Sequence, residues 1–153
     1  MKIDSEILDA LTVRAKSNPR LRQAYDLRNH STSSGQVSPD NSQRMLNALE
    51  TGTIMPIHRH RNTSETMVMV RGKLIERFYD DNGNITDEFV MTPISIPSLP
   101  SVPAGECNEP PIPMVQIEAG QWHSLEVLES GTIIFEAKDG KYEPLGEEDI
   151  LKL

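Results

Sequence analysis

Residues 52 to 72 run Gly52-Thr53-Ile54-Met55-Pro56-Ile57-His58-Arg59-His60-Arg61-Asn62-Thr63-Ser64-Glu65-Thr66-Met67-Val68-Met69-Val70-Arg71-Gly72. Side chains two apart on an extended chain leave from the same face, so the imidazoles of His58 and His60 can reach one point. The polar stretch Arg61 to Ser64 can turn the chain back and bring the Glu65 carboxylate to the two rings. An apolar run with strand character, Thr66 to Val70, follows at once. Taken singly, each residue has a plainer reading. A His-x-His pair commonly sits on a surface or in a turn, and a lone glutamate is ordinarily a solvated charge.

Outward from this stretch, short apolar runs alternate with turn residues: Met45 to Leu49, Lys73 to Tyr79, Ile85 to Met91, Val115 to Ile117, His123 to Leu128 and Thr132 to Ala137. Such spacing predicts an all-β sandwich or barrel. Asp81-Asn82-Gly83-Asn84 is the clearest joint, because Asn-Gly accepts the positive φ of a tight hairpin, so 73 to 79 should pair antiparallel with 85 to 91. Glu129-Ser130-Gly131 and Asp139-Gly140 read as further turns. Met45, Met67, Met69 and Met91 read as core filling. His123, three residues after Gly120, can join His58, His60 and Glu65 only if the fold carries its strand across. Beside Trp122 it also reads as a core histidine bonded to backbone.

The flanks are less regular. Ile7, Leu8, Leu11 and Ala15 recur at helical spacing between a cap at Asp4 or Ser5 and the stop Asn18-Pro19, which predicts a short amphipathic helix. Residues 19 to 42 are polar and read as a long loop or an arm over the barrel. Seven of the eleven prolines fall within 93 to 113. Proline cannot donate the hydrogen bonds of a central strand, so this is an inserted loop, with a lid or an arm to a neighbouring subunit as the other readings. The expected organisation is one domain: helix and arm over 1 to 42, barrel over 43 to 142, and an acidic tail over 143 to 153.

At 153 residues, 37% hydrophobic and 25% charged, the chain can bury a core without staples. Its net charge of -8, with no basic cluster to offset it, makes nucleic acid an unsuitable partner. No apolar stretch approaches a membrane span, and the first residues lack the apolar core of a secretory signal. The single cysteine, Cys107, has no partner thiol in the chain. The expectation is a cytoplasmic protein.

The intervals Gly52, five residues, His58, one residue, His60, four residues, Glu65, six residues, Gly72 resemble the complete first motif of the cupin family. The second motif is similar in Gly120 and His123 but has Glu118 and Val127 where the family usually has proline and asparagine. The resemblance implies a double-stranded β-helix, or jelly-roll barrel, with His58, His60, Glu65 and His123 on one divalent metal ion. A closer likeness, through Ser42 to Glu50, His58-Arg59-His60, Gln121-Trp122-His123 and Phe135 to Gly140, is to the WbuC family of cupin-fold metalloproteins. That family implies a setting in bacterial surface-polysaccharide metabolism and a sugar-derived or sugar-nucleotide ligand.

Three imidazoles and a carboxylate suit iron, zinc, nickel or manganese alike and leave a cation able to act as a Lewis acid. Arg44, Lys138, Arg22 and Arg28 are candidate contacts to a phosphate or carboxylate group, with Asn47 and Tyr142 as further ones, although most such cations are simply solvated. Three functions fit: a metal-dependent enzyme on a small polar molecule, a non-catalytic metal- or ligand-binding or sensor module, and a metal-free sugar epimerase using His123 or His60 as base and Tyr79 as acid. Cupins commonly pair through barrel edges, which leads to the expectation of a homodimer.

Overall fold

The computed structural model describes residues 2–30, 41–94, 111–140 and 144–152. Among these residues helix α1 (Ser5–Ser17) is followed by eight strands: β1 (Arg22–Asp26), β2 (Gln43–Leu49), β3 (Glu65–Arg71), β4 (Leu74–Tyr79), β5 (Ile85–Met91), β6 (Met114–Ile117), β7 (Trp122–Val127) and β8 (Thr132–Lys138). They form a five-stranded sheet in the order β1-β2-β8-β3-β6 and a three-stranded sheet in the order β5-β4-β7, with antiparallel pairing throughout.

The seven apolar runs picked out in the sequence are β2 to β8. The β4–β5 hairpin closes at Gly83, whose φ of 82° only glycine adopts without strain. Asp80 accepts from the Asn82 and Asn84 amides at 2.8 and 2.9 Å and fixes the turn. Gly72 likewise turns β3 into β4 with φ 82°, pressed so closely on Thr132 that a Cβ there would lie 2.7 Å from the Thr132 Cα.

Alternation along the strands makes two cores. Leu49, Met67, Met69, Leu74, Met91, Val127 and Ile134 fill the barrel, so three of the four expected methionines are core and Met45 is half-buried. On the outer face of the large sheet, Leu46, Ala48 and Ile133 meet Leu11 and Ala15 of α1. The helix is capped by Asp4, which accepts from the Ile7 amide, and the Asn18-Pro19 stop ends it as expected.

Two segments differ from the sequence reading. Arg22–Asp26 is an edge strand paired along its length with β2, not a loop or arm. Its sequence carries no apolar alternation, and its register comes from β2 and from Tyr25 packing beside α1. The acidic end of the chain folds back: the Leu151 amide donates to the Ile57 carbonyl at 2.9 Å, and the Arg59 amide to the Asp149 carbonyl at 3.1 Å. Of the proline-rich stretch, residues 95–110 lie outside the described residues, and Cys107 with them.

Candidate metal centre

The same strands that bury the apolar core carry polar side chains at the other end of the barrel. On β3 and β8 the inward series reads Glu65, Met67, Met69 and Ile134, Glu136, Lys138. On β4 and β7 it reads Leu74, Glu76 and His123, Leu125, Val127. The segment before β3 runs alongside β7, where His58 and His123 form an antiparallel bridge. His60 is pinned by its carbonyl, which accepts from the Gly120 amide at 2.8 Å. Residues sixty or more positions apart are thereby joined.

One ring nitrogen from each of His58, His60 and His123 can be chosen so that all lie within 4.8 Å of one another, which makes these three a group able to hold a metal ion. Ring centroids are 4.2 Å apart for His58 and His123, 5.3 Å for His58 and His60 and 5.9 Å for His60 and His123. Nδ1 of His58 is 3.0 Å from the Pro56 carbonyl, which can only accept, so Nδ1 carries the proton and Nε2 presents its lone pair. Nδ1 of His123 is 3.0 Å from Glu76 Oε1, which leaves its Nε2 buried with no hydrogen-bond partner among the described residues. An orphaned, inward-facing imidazole nitrogen beside two others fits a metal ligand. Glu65, 4% exposed, brings its Oε2 to 3.4 Å from His60 Nε2.

Burial holds all three histidines below their ordinary pKa. His58 is lowered chiefly by desolvation, His60 to about 4 by desolvation and then the Lys138 charge, and His123 to about 2 by desolvation and then its neighbouring histidines. All three are therefore neutral near pH 7, the form that ligates. Glu76, 1% exposed, is pushed well above the carboxylate range by desolvation and by Glu65 and Glu136. Glu136 is raised to about 8 by desolvation first and Glu65 second.

A cavity of about 40 Å³ opens among these groups, with Met55, Met67, Ile117 and Leu125 as its apolar wall and His58, Glu65, Glu76, His123, Glu136 and Lys138 as its polar one. That is room for about three water-sized groups. The six candidate contacts divide. Lys138 lies in the site, 3.0 Å from Glu65. Asn47 hydrogen-bonds Glu136. Arg22 reaches the sulfur of Met55 at 3.1 Å. Arg28 is in a bidentate pair with Asp26. Arg44 is exposed, on an outward-facing position of β2, beside Ser42. Tyr142 lies outside the described residues. Tyr79 does not line the cavity; its hydroxyl meets Ser124 at 2.9 Å.

Glu76 and Glu136 are the site residues that sequence reasoning passed over. The available signal was position: each stands at an inward place in an alternating strand, where a carboxyl needs a buried partner.

The family described as Domain of unknown function (DUF6016) matches residues 3–91, a span that includes His58, His60 and Glu65. No curated protein matches the sequence. Among solved structures, the chain is similar to KdgF from Halomonas sp. at 10% identity and TM-score 0.50, covering 82% of this chain and 84% of that one. It is similar to an oxalate oxidase in complex with the substrate analogue glycolate, at 11% identity and TM-score 0.53, over 83% of this chain and 55% of that one. A third likeness is to the E162A mutant of the Bacillus subtilis oxalate decarboxylase OxdC, at 16% identity and TM-score 0.52, over 85% of this chain and only 28% of that one. These likenesses concern the fold: an all-β cupin barrel with a short N-terminal helix. No helix among the described residues is long and apolar enough to cross a membrane.

Proposed function

This chain belongs to the family described as Domain of unknown function (DUF6016), and we propose that it is a metal-binding cupin whose His58, His60, Glu65 and His123 hold one divalent ion beside a pocket for a small polar ligand. The observation that carries the reading is the buried, unpartnered Nε2 of His123 converging with two other neutral imidazoles. Nitrogen and oxygen donors of this kind suit iron, zinc, nickel or manganese. A bound ion would supply a Lewis acid to polarise an oxygen of the ligand.

The chain's own residues do the rest. Met55, Met67, Ile117 and Leu125 exclude water from one side of the pocket, and Glu76 orients His123 through Nδ1. Glu136 holds a proton near neutral pH that it can offer to a ligand oxygen. The likeness to WbuC proteins supports a sugar-derived or sugar-nucleotide ligand in surface-polysaccharide metabolism, and Lys138 is the candidate contact best placed to meet it. We place the protein in the cytoplasm as a homodimer, for which β5, at the edge of the smaller sheet, supplies a pairing surface.

A non-catalytic binding or sensor module is the second reading, favoured by the small size of the cavity. The metal-free epimerase draws less support, since Tyr79 is bonded to Ser124 and does not line the cavity.

Elemental analysis of tag-free protein, beside a folded His58→Ala/His123→Ala variant, tests the proposal. The expected result is about one metal per chain, lost in the variant. Absence of metal together with no uptake on titration would overturn it. Turnover of a sugar-derived substrate that requires the metal separates the enzyme from the binding module.

A further inference from the structure

Within the proposed ligand set stands a cation that the chain itself provides. Glu65 and Lys138 are directly opposite each other in the β3–β8 pairing, both on inward positions, so register alone delivers the lysine to the site. Its side chain is 10% exposed, and its Nζ lies 3.0 Å from Glu65 Oε2 and 3.2 Å from His60 Nε2.

We infer that Lys138 is the resident cation of the metal-free site, bridging Glu65 and His60 and competing with a divalent ion for both. The inference rests on the ligand set proposed above. An ammonium group has donors and no acceptor, so at His60 it takes the ring's single Nε2 lone pair. A metal needs that same lone pair, and one lone pair serves one partner. At Glu65 the ammonium lies 3.0 Å from Oε2, the oxygen that is 3.4 Å from His60 Nε2. Two cations this close inside a barrel repel strongly, so the lysine leaves when the ion binds. Glu136, two residues back on the same face of β8, is a second carboxyl on which the lysine charge acts, and gives the displaced ammonium somewhere to turn.

The arrangement has a purpose in the metal-free chain. Glu65, Glu76 and Glu136 line one small cavity, and Lys138 is the cation among its lining residues. Removing that charge leaves Glu65 buried without compensation, which destabilises the empty protein and sharpens its demand for a metal.

The test is Co²⁺ titration of metal-free wild type, Lys138→Met and Lys138→Gln, read by the cobalt absorption bands and by calorimetry, with thermal melts of each protein before and after loading. Lys138→Gln keeps a polar donor at that depth should the methionine variant fold poorly. The expected result is Co²⁺ binding tighter by about tenfold or more in the variants, the change that loss of one charge-assisted contact corresponds to. Their metal-free melting temperature falls, and most of the loss is regained on loading. Unchanged or weaker Co²⁺ affinity in the folded variants, with wild-type binding still abolished by His58→Ala, overturns the role of Lys138 alone. Binding of Co²⁺ by none of the proteins, or binding indifferent to His58→Ala, overturns the metal site and this inference with it.

Discussion

His58 and His123 grip each other through their own backbones: the amide of His58 donates to the carbonyl of His123 at 3.0 Å, and the amide of His123 to that of His58 at 2.8 Å. The bridge sets the two rings side by side, with their centroids 4.2 Å apart. The site is therefore preorganised by the sheet.

Preorganisation predicts how a ligand deletion behaves. His58→Ala keeps the backbone bridge and removes a desolvated polar ring, so metal-free stability should change by no more than about 1 kcal/mol. Metal binding should be lost. Denaturant melts in the presence of a chelator check the first part and calorimetry the second. A large loss of metal-free stability would mean that the ring, not the bridge, holds this segment.

Glu76 should act on the metal through His123. Its Oε1 lies 3.0 Å from Nδ1, and by accepting the Nδ1–H there it would fix both the tautomer and the plane of the ring. Glu76→Leu should weaken metal binding by about 10- to 100-fold, the usual range for such outer partners. Glu76→Gln, whose amide oxygen accepts the same bond, should lose much less. Equal losses in the two variants would assign the residue to packing.

The raised pKa of Glu136 gives metal-free stability a definite pH dependence. The unfolded chain releases this proton near the ordinary 4.5, whereas the folded chain keeps it to about 8. Between those values the fold binds the extra proton, so this contribution to stability falls as pH rises. The histidines act in the opposite sense at lower pH: His60 titrates at about 4 folded and 6.5 unfolded, so its contribution grows as pH rises through that window. Above pH 6.5 the histidine effect is complete and the carboxyl effect continues. Melting temperatures of wild type and Glu136→Gln should therefore diverge between pH 6.5 and 8, with wild type declining more steeply. Parallel curves would show that the carboxyl is ionised in the fold.

What the sequence made legible was whatever depends on local pattern. Apolar runs gave β2 to β8, Asn82-Gly83 gave the hairpin, and the interval from Gly52 to Gly72 pointed to the cluster. What depends on distant pairing stayed hidden. Ile75-Glu76-Arg77 reads as a half-solvated strand until Phe78 is set against His123, which brings Glu76 under the imidazole. Lys138 reads as a candidate ligand contact, but only the β3–β8 register sets it against Glu65. Arg22–Asp26 has no strand pattern of its own and is ordered by its neighbour.

The end of the chain, which reads as an acidic tail, should prove a brace for the ligand segment. Asp149 Oδ1 lies 2.6 Å from Arg61 Nε and 3.6 Å from Arg59 Nε, so its carboxylate grips the residues that flank His60. Arg59 also stacks on Trp122, 4.2 Å from the ring centroid, next to His123. Through these contacts and the isolated antiparallel Ile150–His58 bridge, residues 149 to 151 lie beside Ile57 to Arg59. Asp149→Ala leaves the partly buried Arg59 and the exposed Arg61 without their shared carboxylate, at a cost of about 1 kcal/mol. Because the lost contacts flank His58 and His60, metal affinity should fall along with stability, while the cavity residues on β4 and β8 stay in place. Asp149→Asn, which keeps the shape and one acceptor, should fall between the two. The discriminating measurement is metal affinity at a temperature where all three proteins are fully folded. A weakened affinity there assigns the brace to the site, and an unchanged one confines it to the stability of the fold.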